Sequence, residues 1–200
     1  SASGLKEVVY NDFYIGDDAD VVIVAGCGIH NCGVQDSEHD GIHRFFVGKN
    51  AKVKYVEKHY GEGDGNGKRI LNPGTEVYME ENSYMEMEMV QNAESTYIVN
   101  LNGEDSSADV VSRSVAKDTS KQTFNSKIVG NAKCSGHTEC DAIIMDDAKI
   151  FAIPGLIANN IDAALIHEAA IGKIAGEQIV KLMTLGLTEE EAEAQIVNGF

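Results

Sequence analysis

From about residue 45 to residue 165 the chain repeats one local theme, a turn rich in Asn, Gly, Asp or Ser followed by a short run of alternating apolar and polar residues. The runs open as NAKVKYVEKHY at 50, ENSYMEMEMV at 81, NAESTYIVN at 92, SSADVVSRSV at 106, TSKQTFNSKIV at 119, NAKCSGHTECDAIIM at 131, DAKIFAIP at 147 and NIDAALIHEA at 160. After the first two, successive openings lie 11 to 16 residues apart. The alternation is clearest in Tyr84-Met85-Glu86-Met87-Glu88-Met89. A period of two sends the three methionines to one face and the glutamates to solvent. The regular alternation makes this row a core face rather than a soft-metal site.

Short strands at near-even spacing fit a sandwich, a barrel or a coiled solenoid. The turns decide among these. Asn50-Ala51, Glu81-Asn82, Asn92-Ala93, Asn131-Ala132 and Asp147-Ala148 restart the strands with nearly the same chemistry. A solenoid stacks equivalent turns, whereas a sandwich has no reason to restate one. Asn-Gly, the usual hairpin signal, is rare, as at Asn102-Gly103 and Asn198-Gly199. The expected fold is mainly β, a parallel β-helix (β-solenoid) over residues 1–171.

From Gly172 the period changes, and residues 172–200 are expected to form a pair of α-helices. Ile179, Leu182 and Met183 stand at helical spacing, and Gly186 falls where that helix would stop. Thr188 and Glu191 make a capping box, with Glu189 and Glu190 at the positive end of the second helix. Ala192, Ile196 and Phe200 mark its apolar face. The chain stops there in mid-pattern, as expected of a fragment.

Composition narrows the functional classes. In 200 residues there are 16 basic and 32 acidic residues, a formal charge of −16, which repels phosphate backbones and argues against nucleic acid as a partner. There is no run of 18 apolar residues to cross a membrane, and the opening SASGLKEVVYND is not a secretory leader; its Ser1-Ala2-Ser3 reads as a tag remnant. Four cysteines are too few for a disulfide scaffold, so a cytoplasmic location is expected.

Three stretches carry residues capable of chemistry. In AGCGIHNCG, Cys27, His30 and Cys32 are metal-ligand types, with His39 and His43 following, and they suit zinc, iron or an iron–sulfur centre. The Cys-x4-Cys spacing is not that of a zinc finger, and small buried cysteines in a Gly-rich turn are the alternative. In NAKCSGHTEC a continuous strand puts Cys134 and Cys140 on one face and His137 on the other, so one ion could not take all three. In LIHEAAIGKI, His167 and Glu168 are neighbours and face opposite sides of a strand. HYGEGDGNGKR mimics a phosphate loop, but no Ser or Thr follows Lys68, and a long mobile loop is expected instead.

The stretch ECDAIIMDDAKIFAIPGLIANNIDAALIHEAAIGKIAGEQIVKLMTLGLTEEEAEAQIVNGF resembles the C-terminal core of the SufB/SufD family of iron–sulfur cluster assembly proteins. The marks are Cys-Asp before an apolar strand, then HEA, GKIAGEQ, LGLTEEEA and IVNGF, in order and at compatible spacing. The resemblance implies a right-handed β-helix whose terminal helices dock a SufC-like ABC-type ATPase. It implies a scaffold without turnover of its own, on which a transient iron–sulfur cluster is built near an interface with a second SufB/SufD-type subunit; with one chain in hand, a homodimer is expected. A cysteine desulfurase system would donate the sulfur. Carried over by residue, Cys140 matches the thiol of sulfur acceptance, Glu168 the nearby acidic position, and His167 precedes it in the same motif. Gln178, Leu182, Gly186 and Glu190 fall in the ATPase-docking end. CGIHNC lies outside that family pattern, which leaves Cys27, His30, Cys32 and Cys134 as candidate metal or cluster ligands. Two other readings compete: a β-solenoid carbohydrate-active enzyme, which would want paired carboxylates and basic residues in one cleft, and an interaction module stabilised by zinc.

Overall fold

A computed structural model describes residues 4–91 and 94–200. In chain order the elements are β1 (Lys6–Ile15), β2 (Asp20–His30), β3 (Ser37–Val47), β4 (Lys52–Glu62), β5 (Arg69–Leu71), β6 (Gly74–Met79) and β7 (Tyr84–Gln91). They continue with β8 (Glu94–Leu101), β9 (Ser107–Ala116), β10 (Lys121–Gly130), β11 (Cys134–Ile144), β12 (Lys149–Ala158), β13 (Ala163–Gly172), α1 (Gly176–Met183) and α2 (Glu189–Gly199).

Strands alternate between two facing sheets. One runs β1-β3-β6-β8-β10-β12, with β5 also on β3, and the other β2-β4-β7-β9-β11-β13. Every pairing is parallel. Parallel neighbours need a long crossover, and here the crossover is the strand laid into the opposite sheet. The result is a parallel β-solenoid of about six coils followed by two helices, as the turn chemistry predicted.

The repeat length is not constant. Equivalent residues lie 32 apart in the first coils, 22 apart between Tyr78 and Asn100 and 23 between Tyr84 and Ser107, and 28 or 29 apart later. Asp18, Asn50 and Asn82 occupy one stacked corner, each at φ between 54° and 58°, a region that Asn and Asp tolerate better than other side chains. Their side chains hydrogen-bond up the stack, Asn50 Nδ2 to Asp18 Oδ1 at 3.0 Å and Asn82 Nδ2 to Asn50 Oδ1 at 2.8 Å. Asn102, Asn131 and Asn159 form a second ladder nearby, at 2.8 and 2.7 Å. The expected turn at Asn92-Ala93 lies outside the described residues.

Asn102-Gly103 opens no hairpin. It is a corner of the solenoid, where a Cβ on Gly103 would stand 2.0 Å from Glu81 N of the preceding coil, so only glycine fits the stack. Asn198-Gly199 lies at the end of α2. The stretch expected to be a loose loop, residues 63–68, is a second stacked corner. Gly65 N and Gly67 N donate to Asn31 O and Gly33 O at 3.3 and 2.9 Å, and Asp36 Oδ1 accepts from Lys68 N at 2.8 Å.

Inward positions form the core. Met85, Met87 and Met89 are fully buried with Phe45, Tyr55, Tyr97 and Leu101, while Glu86 and Glu88 face outward, paired with Lys54 and Arg113. Met87→Ala should cost about 3 kcal/mol of unfolding free energy by urea titration, because a thioether leaves a cavity between two stiff sheets. Glu88→Gln should leave the midpoint nearly unchanged; equal effects at both positions would contradict this alternation.

The helices are joined through Gly186, at φ 98°. The capping box is present, with Glu191 N donating to Thr188 Oγ1 at 3.2 Å and Thr188 N donating to Glu191 Oε2 at 2.8 Å. α1 buries no residue, and α2 buries Ala192.

Candidate functional site

The last two coils hold the residues singled out near the C-terminus. β11 is a continuous strand, so its period of two turns Cys134 and Cys140 inward and His137 outward. On β13 the register pairs Thr138 with His167, Glu139 with Glu168 and Cys140 with Ala169. His167 therefore shares the inward face with Cys140, and its Nδ1 is buried with no hydrogen-bond partner among the described residues. Glu168 shares the outward face with His137, whose Nε2 lies 3.4 Å from Glu168 Oε2 and whose Nδ1 lies 2.7 Å from Asp109 Oδ1. Sequence neighbours thus present one imidazole to the interior and one carboxylate to the surface.

Electrostatics differ between the two faces. Burial, and then Asp141, pushes the Cys140 thiol up to about 11, and burial also raises Cys134. Burial alone would lower His137, but Asp109 and Glu168 outweigh it and raise it. Glu139 is raised by desolvation and by Asp141. Within the chain alone, the inward face offers a protonated thiol and an unpartnered imidazole. The outward face offers a carboxylate–imidazole cluster.

The first coils separate the other candidates. Cys27 points inward from β2, whereas His30 and Cys32 lie on the surface, their Nε2 and Sγ 2.9 Å apart. Cys32 also holds Asp64 below the usual carboxylate range. Cys27 joins a different set. Its register partner is His59, and Glu57 lies two positions along the same inward face of β4. The ligand atoms of Cys27, Glu57 and His59 all lie within 4.8 Å of one another. The facing sheet adds His39 and His43 from β3, with Gly41 between them. A Cβ at Gly41 would stand 3.2 Å from His43 Nε2, 3.6 Å from Cys27 Sγ and 3.7 Å from His39 Nε2, so three donor atoms converge where that residue has no side chain.

Glu57 and His59 are fully buried, with Oε1 and Nε2 3.1 Å apart, and His43 Nε2 is 3.8 Å from the same oxygen. None of these atoms makes a hydrogen bond among the described residues. His43, and then His59, lowers the Cys27 thiol to about 6 against the effect of burial. Burial would lower His59, yet Cys27 and Glu57 raise it to about 9. The thiol and imidazole beside it therefore favour their charged forms.

Sequence reasoning found Cys27, His39 and His43 but missed Glu57 and His59. The signal was present in KVKYVEKHY, where Val53, Tyr55, Glu57 and His59 share one parity and put an acid and an imidazole on an apolar face. On the helices, Gln178 and Glu190 are exposed, Leu182 is half-buried, and Gly186 forms the turn between them.

Residues 89–200 match the family described as SUF system FeS cluster assembly, SufBD core domain. The chain is 28% identical over 228 residues to an iron–sulfur cluster assembly SufBD family protein of Methanothermobacter thermautotrophicus, covering 98% of this chain and 55% of that protein. It is 38% identical over 162 residues to a SufBD family protein of Pyrococcus horikoshii, covering 77% of this chain and 35% of the other. Over 98 residues it is 37% identical to the iron–sulfur cluster assembly protein SufB of Bacillus subtilis, covering 47% and 21% respectively. The chain thus spans about half or less of the length of these relatives.

Proposed function

This chain belongs to the SufBD family of iron–sulfur cluster assembly proteins, and from that premise we propose that it is a scaffold subunit on which sulfur and iron are combined, without turnover of its own. The observation that carries the reading is the pairing of coils at β11 and β13, which brings Cys140 and His167 onto one inward face and sets Glu168 with His137 on the outer face of the same coils. Thiolate, imidazole and carboxylate are the donors that iron and nascent clusters take.

Sulfur acceptance is a transfer between thiols. The Cys140 thiolate attacks the outer sulfur of a donor persulfide, the donor's S–S bond breaks, and the donor leaves as a thiolate while the persulfide now resides on Cys140. A thiol raised to about 11 is largely protonated at neutral pH, so a base or an iron ion must take or displace its proton first. His167, two register positions away on the same inward face and with an unpartnered ring nitrogen, would serve as that base. Glu168 and His137 would hold iron at the outer rim.

The edge strands of the last coil support a second subunit. Phe151, Ile153, Leu156 and Ile166 are exposed there, an apolar surface that a second copy of this chain would cover. The helical pair would receive a SufC-like ABC-type ATPase, and a cysteine desulfurase system would donate the sulfur. Among the described residues no helix is long and apolar enough to cross a membrane, and the role implies the cytoplasm.

The test is anaerobic reconstitution of the chain with ferrous iron and sulfide, read by iron content, acid-labile sulfide and visible absorption. Iron and labile sulfide in similar amounts, with sulfide-to-iron charge-transfer absorption, is the expected result. A chain that takes up metal but no labile sulfide would overturn the scaffold reading.

A further inference from the structure

At the opposite end of the solenoid from Cys140, we propose that Cys27, His39, His43, Glu57 and His59 form a site for one divalent transition-metal ion of the zinc and ferrous-iron class, which ties β2, β3 and β4 together from the inside. The inference does not rest on the cluster-assembly reading, because no residue is shared between the two ends.

Charge is the first argument. Glu57 and His59 have fully buried side chains, and neither carboxylate oxygen nor either ring nitrogen has a hydrogen bond among the described residues. His59 Nε2 stands 3.1 Å from Oε1, but Oε2 is buried with no partner among the described residues, and a carboxylate held in the interior by so little is costly. One thiolate and one carboxylate balance a divalent cation while neutral imidazoles complete its shell, so the ion converts five ill-satisfied groups into a neutral buried unit.

Geometry is the second. A four- or five-coordinate ion with bonds of roughly 2.0–2.3 Å holds adjacent ligands roughly 3–4 Å apart. Cys27, Glu57 and His59 present ligand atoms all within 4.8 Å of one another, and His43 Nε2 sits 3.8 Å from Glu57 Oε1. Small side-chain adjustments close this set around one ion.

The outer shell supplies the third. His39 places Nδ1 3.2 Å from Glu7 Oε2, and its Nε2 is buried without a partner. A carboxylate behind one ring nitrogen fixes the tautomer that leaves the other free for metal. His43 Nδ1 similarly lies 3.3 Å from Tyr55 Oη. A half-open cavity of about 500 Å³, lined by Cys27, His39, Gly41 and His43 among others, gives an ion a way in. Mixed sulfur, nitrogen and oxygen donors select borderline metals over calcium or magnesium.

The test uses the purified chain, stripped with chelator and titrated with cobalt(II), then with zinc. One equivalent of cobalt should bind with a thiolate-to-cobalt charge-transfer band, zinc should displace it, and zinc should raise the melting temperature by mass action. Cys27→Ser should lose the band, while Cys32→Ser and Cys140→Ala keep it. Glu7→Gln, an exposed change that spares the fold, should weaken affinity by about 10–100-fold. Failure of the wild type to bind, persistence of the band in Cys27→Ser, or unchanged affinity in Glu7→Gln would each overturn the proposal.

Discussion

Replacing Cys140 with alanine is expected to abolish cluster formation on this chain while leaving the solenoid folded. Cys140 is 1% exposed and sits between the sheets, so the substitution removes one sulfur atom from a strand position that a small residue fills easily. The packing loss is roughly 1 kcal/mol, small beside the 5–15 kcal/mol of a typical domain. Chemically the loss is total, because the other thiol on that face, Cys134, is in register with Ala163, four positions from His167, whereas Cys140 is in register with Ala169, two positions away. Cys134, six residues earlier on the same strand face, belongs to the same core, and Cys134→Ala should therefore assemble a cluster. Glu168→Gln should reduce iron retention without blocking sulfur acceptance, since Glu168 faces outward with His137. The measurement is iron and labile sulfide per chain after anaerobic reconstitution, beside a circular-dichroism spectrum of each variant. Wild-type cluster content in Cys140→Ala would remove the residue from the mechanism. Loss of strand signal in that variant would recast it as core packing.

What the sequence made legible is the period-two code and the corners. Met85, Met87 and Met89 announce an inward face, and the repeated Asn and Asp turns announce stacking, because both signals are local and each coil restates them. The inward placement of Cys134 and Cys140 against the outward His137 followed from the same rule. What stayed hidden depends on coil length. The approach of His137 to Asp109 and to Glu168 joins residues 28 and 31 apart, and the coil length shifts from 32 to 22 or 23 and then to 28 or 29 along the chain. Without that register no local pattern brings these three together. The grouping of Cys27 with His30 and Cys32 failed for a related reason. Proximity in sequence suggested one site, but Cys27 lies on the inner face of β2 and the other two on the surface. Its real neighbours come from β3 and β4, the facing strand and the next coil.

Removal of residues 176–200 is expected to leave the solenoid as stable as before and to eliminate binding of a SufC-like ATPase. α1 buries none of its residues and exposes Val180 at 58%, Met183 at 43% and, just beyond it, Leu185 at 76%. An amphipathic helix that keeps its apolar side chains in water contributes little to the domain beneath it and is suited to a groove on another protein. Ala192 is the one buried residue of α2, and Val197 and Phe200 line a cavity with strand residues instead of filling it. Cutting after Ala175 therefore uncovers no part of the methionine and aromatic core. Affinity for the ATPase should fall at least about a hundredfold, roughly 2.8 kcal/mol, while the urea midpoint stays in place. Val180→Asp and Met183→Asp, made in the full chain, should reproduce most of that loss by placing a carboxylate where an apolar contact is needed. Glu189, Glu190 and Glu191 border this surface with negative charge, so against a basic groove the binding of the full chain should weaken as salt is added. Unchanged affinity in both the truncated chain and the aspartate variants would move the ATPase elsewhere on the solenoid. A truncated chain that unfolds, beside aspartate variants that still bind, would make the helical pair a stabilising cap instead of a docking element.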